Sequence, residues 1–335
     1  MASSSDRDAP FLAYLGTEDG IRVLRVRVSD RGEEIIEIAS GLAGNAVRAI
    51  DIAPNDPLDA FVGCGLRGWG LYRTTDGGET FDLLGFDERW VWGLTRHPTD
   101  PETVYVGTEP PMLYVSSDGG DSFRPLEGLE EVPSRPQWTF FHEPFTAGHV
   151  HGIAIHPARP ERIVAGVEHG ALIYSKDGGE TWHETLVGRD LHRVAFHPTD
   201  PDRVFAAAGS GLYRSDDGGE EWTAVPALRG LYLHSLVFDP DSPDRLYVYA
   251  DRDGTPIYAS GDGGDSWTAL GEGLPAARPA DPLRLHPADS STLVYAGNGD
   301  EHATSLFVST DRGVTWHRIG ETLPKVWRLE VALHP

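Results

Sequence analysis

Three histidines occupy the same place in three consecutive stretches of this sequence. His151, His192 and His234 each lie five residues before the His or Asp that opens a short His-Pro or Asp-Pro turn. Side chains at one position of neighbouring repeats converge when the repeats surround an axis. Three converging imidazoles could hold a divalent transition metal, and the residue types do not choose among Zn, Mn, Fe and Ni.

Carboxylates near the same positions would complete such a site. Glu109, Glu168 and Asp281 are candidates for the metal shell or for catalytic acids and bases, and a bound metal would activate water or polarise a substrate oxygen. The candidate ligand-binding residues are aromatic, basic or imidazole side chains of nearby loops and strand starts: Arg67, Trp69, Trp92, His142, His149, His169 and His302. A histidine at a strand start is also often a simple capping or core-edge residue, so each candidate has a structural interpretation as well.

Two short motifs place these residues in a repeating architecture. The first reads SKDGGETW at 175–182, and its other copies carry the aspartates Asp76, Asp118, Asp217, Asp262, Asp311 and, in a degenerate form at 28–35, Asp30. The second reads FHPTDP at 196–201 and also occurs seven times, the last time as LHP at 333–335. Two independent motifs with the same count predict seven units.

Each unit is predicted to contain four short strands. Within 190–227 the segments LHRVAF, RVFAAAG, LYRSD and WTAV are separated by turns, and the first segment carries its apolar residues at alternate positions, as strands do. About forty residues and four strands form one blade of a β-propeller. The chain is therefore predicted to be all-β, a single seven-bladed β-propeller with four antiparallel strands per blade.

The first unit lacks its innermost strand. We predict that the C-terminal segment 326–335 supplies it by pairing with the N-terminal blade, which closes the ring and leaves no unpaired edge. The chain then divides into a flexible tail over 1–10 and the propeller over 11–335. The wide spacing between Asp118 and Asp177 reveals an aromatic insertion at about 127–149, expected on the top face as a lid or pocket wall.

The repeated Ser175, Asp177, Gly179 and Trp182 pattern is similar to that of the BNR/Asp-box propellers. That family includes sialidase domains, sortilin-type receptors, xyloglucan-degrading hydrolases and a photosystem II assembly factor. The resemblance covers about residues 11–335. It implies that the boxes are structural turns between the third and fourth strands of each blade, on the face opposite the active site. The sialidase FRIP motif and a three-arginine cluster are not found in the sequence.

Composition limits the partners and the location that we expect. The net charge of −24 disfavours binding to nucleic acids and to anionic membranes. Lys176 and Lys325 are the only lysines, which is typical of halophilic acidic proteins, although a GC-rich genome also replaces Lys by Arg. No apolar leader and no apolar run of about 18 residues occurs, so we predict a cytoplasmic monomer.

Three functions remain open at this point. The first is a ligand-binding propeller with a metal or histidine–carboxylate site on the axial top face, which would serve a hydrolase-like enzyme or a binding protein. The second is a glycosyl hydrolase that acts on a small glycoside with two carboxylates and tryptophan platforms. The third is a non-catalytic scaffold that binds a protein partner. Only the first requires a metal, so metal content separates it from the other two.

Overall fold

Seven four-stranded antiparallel sheets make up the computed structural model, which describes residues 9–29, 32–140, 143–278, 280–298 and 302–335. The innermost strands of neighbouring sheets contact one another, so the sheets are blades around one axis. The predicted all-β propeller with seven blades is confirmed. Helical structure in these ranges is confined to 3₁₀ turns, and no helix there is long and apolar enough to cross a membrane. The 3₁₀ turns are Glu127–Glu131, Arg135–Gln137 and Pro226–Leu228.

The first three blades, with strands given from the axis outwards, have the following bounds. Blade 1 consists of β28 (Val326–Leu333), β1 (Phe11–Thr17), β2 (Gly20–Ser29) and β3 (Gly32–Gly41). Blade 2 consists of β4 (Val47–Ala53), β5 (Asp56–Cys64), β6 (Leu71–Thr74) and β7 (Asp82–Gly85). Blade 3 consists of β8 (Trp90–Arg96), β9 (Val104–Glu109), β10 (Met112–Ser116) and β11 (Arg124–Pro125).

The remaining four blades follow in chain order. Blade 4 consists of β12 (His149–Ile155), β13 (Ile163–Glu168), β14 (Gly170–Ser175) and β15 (His183–Arg189). Blade 5 consists of β16 (Leu191–Phe196), β17 (Val204–Ala208), β18 (Gly211–Ser215) and β19 (Thr223–Ala224). Blade 6 consists of β20 (Leu233–Phe238), β21 (Leu246–Ala250), β22 (Ile257–Ser260) and β23 (Thr268–Leu270). Blade 7 consists of β24 (Leu283–His286), β25 (Asp289–Asn298), β26 (Ala303–Ser309) and β27 (His317–Pro324).

The ring closes by pairing its last strand with its first. β28 runs antiparallel to β1, with Leu333 opposite Phe11 and Leu329 opposite Leu15. The predicted closure is therefore confirmed. It joins the two ends of the chain within one sheet, so blade 1 has no free inner edge at which another strand could pair.

The hydrophobic core lies between the blades. Between blades 5 and 6, for example, Phe205 packs with Leu236, Leu246 and Val248, and all four side chains are buried. Inner strands are covered on both faces by the neighbouring blades, so β17 reads VFAAA and is buried throughout. This is why the second strand of the repeat appears in the sequence as a short apolar run rather than as a strict alternation.

The Asp boxes form the turns between the third and fourth strands, as the resemblance implied. In blade 4 the carboxylate of Asp177 accepts hydrogen bonds from the Ser175 hydroxyl (2.8 Å) and from the N–H (2.9 Å) and hydroxyl (2.6 Å) of Thr181. Gly178 and Gly179 have φ of 75° and 94°, a conformation that favours glycine. The hydrogen bonds of the Asp177 carboxylate are thus all made within the turn itself. Asp30 of the degenerate copy lies outside the described residues.

The histidines of the His-Pro motif are also structural. Nδ1 of His197 accepts the backbone N–H groups of Thr199 (3.3 Å) and Asp200 (3.0 Å), which holds the turn between the first and second strands. The first glycine of the next Asp box, Gly218, donates its N–H to the carbonyl of Asp202 in that turn (2.7 Å). The two repeated motifs therefore hydrogen-bond to each other on one face of the propeller. The opposite face is not used by either motif.

Deleting residues 326–335 should abolish cooperative folding, because blade 1 loses its inner strand and β1 becomes an exposed edge. Thermal melting and size-exclusion chromatography measure the loss. A chain lacking only 334–335 is the matched control and should melt like the full chain. If the protein that lacks 326–335 is monomeric and melts at the unchanged temperature, the closure is refuted.

Replacing Asp177 by Asn should weaken the acid sensitivity of the protein. Hydrogen bonds from Thr181 lower the pKa of Asp177 from 3.8 to about 2, so its contribution to stability is complete above the ordinary pKa and is lost as pH falls through about 2. The melting-temperature difference between wild type and Asp177→Asn should be largest near about pH 5 and shrink towards about pH 2. Glu180→Gln, at an exposed neighbouring carboxylate, should show no such convergence. A constant difference for Asp177→Asn would contradict the assignment.

Candidate functional site

The inner strands of five consecutive blades share one irregularity, a β-bulge at the same repeat position. The strand register skips one residue in β4, β8, β12, β16 and β20. The skipped residues are Arg48, Trp92, His151, His192 and His234. A bulge redirects a side chain out of the regular alternation. The sequence indicated equivalent positions for the three histidines, and the structure shows that they share a bulge with Arg48 and Trp92.

In blade 1 the bulge lies two residues earlier than the repeat spacing predicts. The spacing that puts each histidine five residues before its turn would assign the equivalent ring position to Leu329, five residues before His334, but Leu329 pairs with Leu15 and is fully buried. The skipped residue of β28 is Trp327, between Val326 opposite Thr17 and Arg328 opposite Gly16. The alignment fails here because no turn connects β28 to β1, so nothing fixes the spacing between the final His-Pro and the bulge.

A cavity of about 230 Å³ opens where these residues meet. Several blades and the insertion contribute to its walls, and the lining residues are Arg48, Leu66, Trp92, Phe140, Phe145, His151, Glu168, Tyr232, His234, Ala280, Asp281 and Trp327. The volume lies below the roughly 300–1,000 Å³ of pockets for drug-sized ligands. The cavity therefore suits a small molecule and does not enclose an oligosaccharide.

A polar cluster at the cavity joins two histidines to one carboxylate; His151 and Glu168 line the cavity, and His149 is buried next to them. Oε2 of Glu168 lies 2.8 Å from Nε2 of His149 and 3.2 Å from Nδ1 of His151. One donor atom from each of these three residues lies within 4.8 Å of the others. On its other side, Nδ1 of His149 lies 3.4 Å from Oε2 of Glu109, which is itself buried and accepts the N–H of Thr146.

The other two predicted metal ligands belong to a separate group. His192 stacks on His234 with 4.3 Å between ring centroids, donates its Nδ1–H to the Leu233 carbonyl (2.6 Å), and approaches Asp190 through Nε2 at 3.2 Å. In the described ranges, the groups of three or more His, Cys, Asp or Glu donors within 4.8 Å are His149–His151–Glu168 and Glu168–His169–Asp190. The structure therefore places His151 with His149 and Glu168, not with His192 and His234.

Burial and neighbouring charges give the four histidines different protonation preferences. Burial lowers the pKa of His151 to about 4, and burial together with the nearby His192 lowers the pKa of His234 well below its ordinary value. Burial acts in the same direction on His192 and His149, but Asp190 raises the pKa of His192 to about 8 and Glu168 raises the pKa of His149. At neutral pH the cavity is thus lined by neutral imidazoles of His151 and His234.

Asp281 belongs to a charge network that fills the axial channel. Its carboxylate accepts hydrogen bonds from Arg284 (2.8 Å twice) and Arg328 (2.7 Å), and Arg193 lies 3.7 Å away. Although burial opposes ionisation, these arginines hold the pKa of Asp281 well below its ordinary value. Arg284 and Arg328 also pair with Glu330. Arg193, Arg284 and Arg328 thus form a three-arginine cluster that the sequence did not reveal. The carboxylates of Asp281 and Glu330 pair with this cluster. A carboxylate held anionic in this way is suited to structure and has no proton to donate.

Aromatic side chains cover one side of the cavity. Phe140 and Phe145 of the insertion lie 4.4 Å apart by ring centroids, and Phe140 contacts His169 at 4.1 Å. Phe145 reaches Trp90 at 6.0 Å, and Trp90 stacks on the exposed Trp69 at 5.5 Å. Aromatic surface therefore runs from the solvent to the cavity mouth.

The remaining candidates lie away from the cavity lining. Arg67 and Trp69 are exposed in the loop after β5, and the side chain of His302 is 78% exposed. His142 lies outside the described residues. Asp190 and Tyr232 were missed, yet each stands two residues before a ring histidine, as His149 does before His151. The same spacing in three consecutive blades was a usable signal in the sequence.

Comparisons with known proteins agree on the fold and do not identify a function. The BNR/Asp-box repeat model matches residues 173–184, and the Sortilin-Vps10 model (sortilin, neurotensin receptor 3) matches 210–331. The resemblance to Asp-box propellers is therefore confirmed. No curated protein matches the sequence.

Solved structures support the same architecture. An ancestral GH74 enzyme is 18% identical with a TM-score of 0.61, and the match covers 82% of this chain but only 39% of that one. YCF48 bound to D1 peptide is 18% identical, with a TM-score of 0.53 and 82% of each chain covered. A Bacteroides uniformis protein assigned provisionally as a 6-phosphogluconolactonase is 12% identical, with a TM-score of 0.64, and the match covers 96% of this chain and 99% of that one. At these identities the likeness shows the fold alone.

Replacing Asp281 by Asn should destabilise the protein by about 3–5 kcal/mol, because Arg284 and Arg328 would be left buried with half of their anionic partners. Urea unfolding measures the change. The control is Asp253→Asn, which weakens an exposed ion pair with Arg278 and should cost less than about 1 kcal/mol. Equal stabilities for the two variants would contradict the structural role of Asp281.

Proposed function

We propose that the axial cavity is a divalent transition-metal site that binds a small molecule, with His149, His151 and Glu168 as the protein ligands. The observation that carries this proposal is the convergence of two imidazoles and one carboxylate within 4.8 Å, at a place where His151 and Glu168 line the cavity and His149 is buried behind them. Two histidines and a carboxylate are a usual donor set for catalytic zinc and for non-haem iron, and they leave coordination positions open. A metal held there would polarise a ligand oxygen or activate water.

Glu109 gives the proposal independent support. Metal-binding histidines usually direct their second ring nitrogen to a carboxylate, which fixes the ring and raises its basicity. Glu109 lies on the Nδ1 side of His149 at 3.4 Å, and Glu168 lies on the Nε2 side. His149 is thus oriented with Nε2 towards His151 and Glu168. Trp92 stacks on its ring at 3.9 Å and keeps that orientation.

Glycoside hydrolysis receives less support from the geometry. It requires two carboxyl groups on either side of a sugar bond, one of which carries a proton. The carboxyl groups that line the cavity are Glu168 and Asp281. Histidines hold the pKa of Glu168 well below its ordinary value and arginines do the same for Asp281. Neither Glu168 nor Asp281 is therefore suited to donate the proton, and Glu109 is buried and does not line the cavity.

The decisive experiment is elemental analysis of untagged protein after incubation with Zn²⁺, Mn²⁺, Fe²⁺ or Ni²⁺ and removal of free metal. We expect about one equivalent in wild type and at least a tenfold weaker affinity in His151→Ala and Glu168→Gln. Metal at about a hundred times its Kd should raise the free energy of unfolding of wild type by about 2.7 kcal/mol.

Three further variants complete the design. His302→Ala changes an exposed histidine and should bind metal like wild type. His192→Ala and His234→Ala test the three-histidine set suggested by the repeats; if they abolish binding and His151→Ala does not, the ligand assignment is wrong. No metal in folded wild type would overturn the proposal. Glycoside binding or protein capture would then take its place, with the exposed Trp69–Trp90 stack as the observation in their favour.

A further inference from the structure

Arg48 is a cation without a carboxylate partner in the wall of the cavity. Within the described ranges no carboxylate oxygen lies within 4.0 Å of its guanidinium, although Arg284 and Arg328 of the axial channel are each paired. Its Nη1 is buried and makes no hydrogen bond to any described residue. A buried charged donor without a partner is costly, so such a group is retained where a ligand pairs with it.

Two indoles contact this guanidinium. Arg48 lies 4.5 Å from the ring centroid of Trp92 and 4.4 Å from that of Trp327. A cation over an aromatic ring is stabilised by the ring without using up its N–H donors, which can still pair with a ligand. A planar guanidinium edge matches a planar carboxylate, with which it forms two parallel hydrogen bonds.

The neighbouring tryptophans add unpaired donors to the same wall. The indole nitrogens of Trp92 and Trp327 are buried and have no hydrogen-bond partner in the described part of the chain. Trp92 is 1% exposed, so bulk water does not satisfy it. Indole nitrogens donate and cannot accept, and the same holds for a guanidinium. This side of the cavity therefore calls for a ligand rich in oxygen acceptors.

We propose that the cavity binds a small organic acid whose carboxylate pairs with Arg48, between Trp92 and Trp327. The inference rests on the proposed function, because the rest of that ligand would face the cluster of His149, His151 and Glu168 across the cavity. A volume of about 230 Å³ admits a molecule of metabolite size. A monoanionic carboxylate fits better than a dianionic phosphate, since Glu168 faces the same space.

The test uses metal-free protein, so that it does not depend on the metal site. Acetate, acetamide and inorganic phosphate are titrated into folded protein by calorimetry, and tryptophan fluorescence follows binding beside Trp92 and Trp327. We expect acetate to bind at least tenfold more tightly than its neutral isostere acetamide and more tightly than phosphate. Arg48→Gln should weaken acetate binding at least tenfold. Arg67→Gln, at an exposed arginine of the same blade, should leave it within twofold.

Arg48→Lys keeps the charge and should still prefer acetate to acetamide, which covers the case in which Arg48→Gln fails to fold. Equal affinities for acetate and acetamide, or acetate binding unchanged in folded Arg48→Gln, would overturn the inference. Tighter binding of phosphate would replace the carboxylate by a phosphate as the recognised group. Metal uptake is measured on separate aliquots of the same preparations. Metal uptake with no acetate preference refutes only the Arg48 subsite, and an acetate preference in protein that takes up no metal refutes only the metal site.

Discussion

Backbone hydrogen bonds between β28 and β1 tie the last strand of the chain to the first and hold seven blades in one ring. Closure does more than remove a sheet edge, because β28 also supplies three residues of the axis. Arg328 and Glu330 pair with Asp281 and Arg284 to fill the channel, and Trp327 forms one wall of the cavity above it. The cavity and the charged network beneath it therefore exist only in the closed ring.

The two faces of the propeller differ in the kind of residue that they present. On one face the Asp boxes and His-Pro turns of the described residues satisfy their own hydrogen bonds, so these turns need no ligand. On the other face a bulge in the inner strands of blades 1 to 6 redirects one side chain out of the regular alternation, and the residue at this position is not the same in all six blades. The same irregularity presents Arg48, Trp92, His151, His192 and His234, which turns a uniform scaffold into an asymmetric site.

Two chemically distinct groups lie at the cavity. Glu168 contacts His149 and His151, and Arg48 contacts the rings of Trp92 and Trp327. We propose the first group for a cation and the second for an anion. A small molecule that offers a carboxylate at one end and a metal-binding oxygen at the other would satisfy both. The fold alone, shared with structures 12–18% identical to this chain, would not have indicated this.

The sequence by itself determined the number of blades, the four strands of each, the closure by the C-terminal segment and the structural nature of the boxes. These follow from local signals, since turn residues and apolar alternation repeat with the blade. It also placed three histidines at equivalent positions. Tertiary structure alone decided which groups meet: His151 joins His149 and Glu168, Asp281 is neutralised by arginines from blades 1, 5 and 7, and Trp327 takes the ring position assigned to Leu329. Those pairings depend on the bulges and on the registers of different blades around the axis, and the spacing of residues within one repeat contains no information about either.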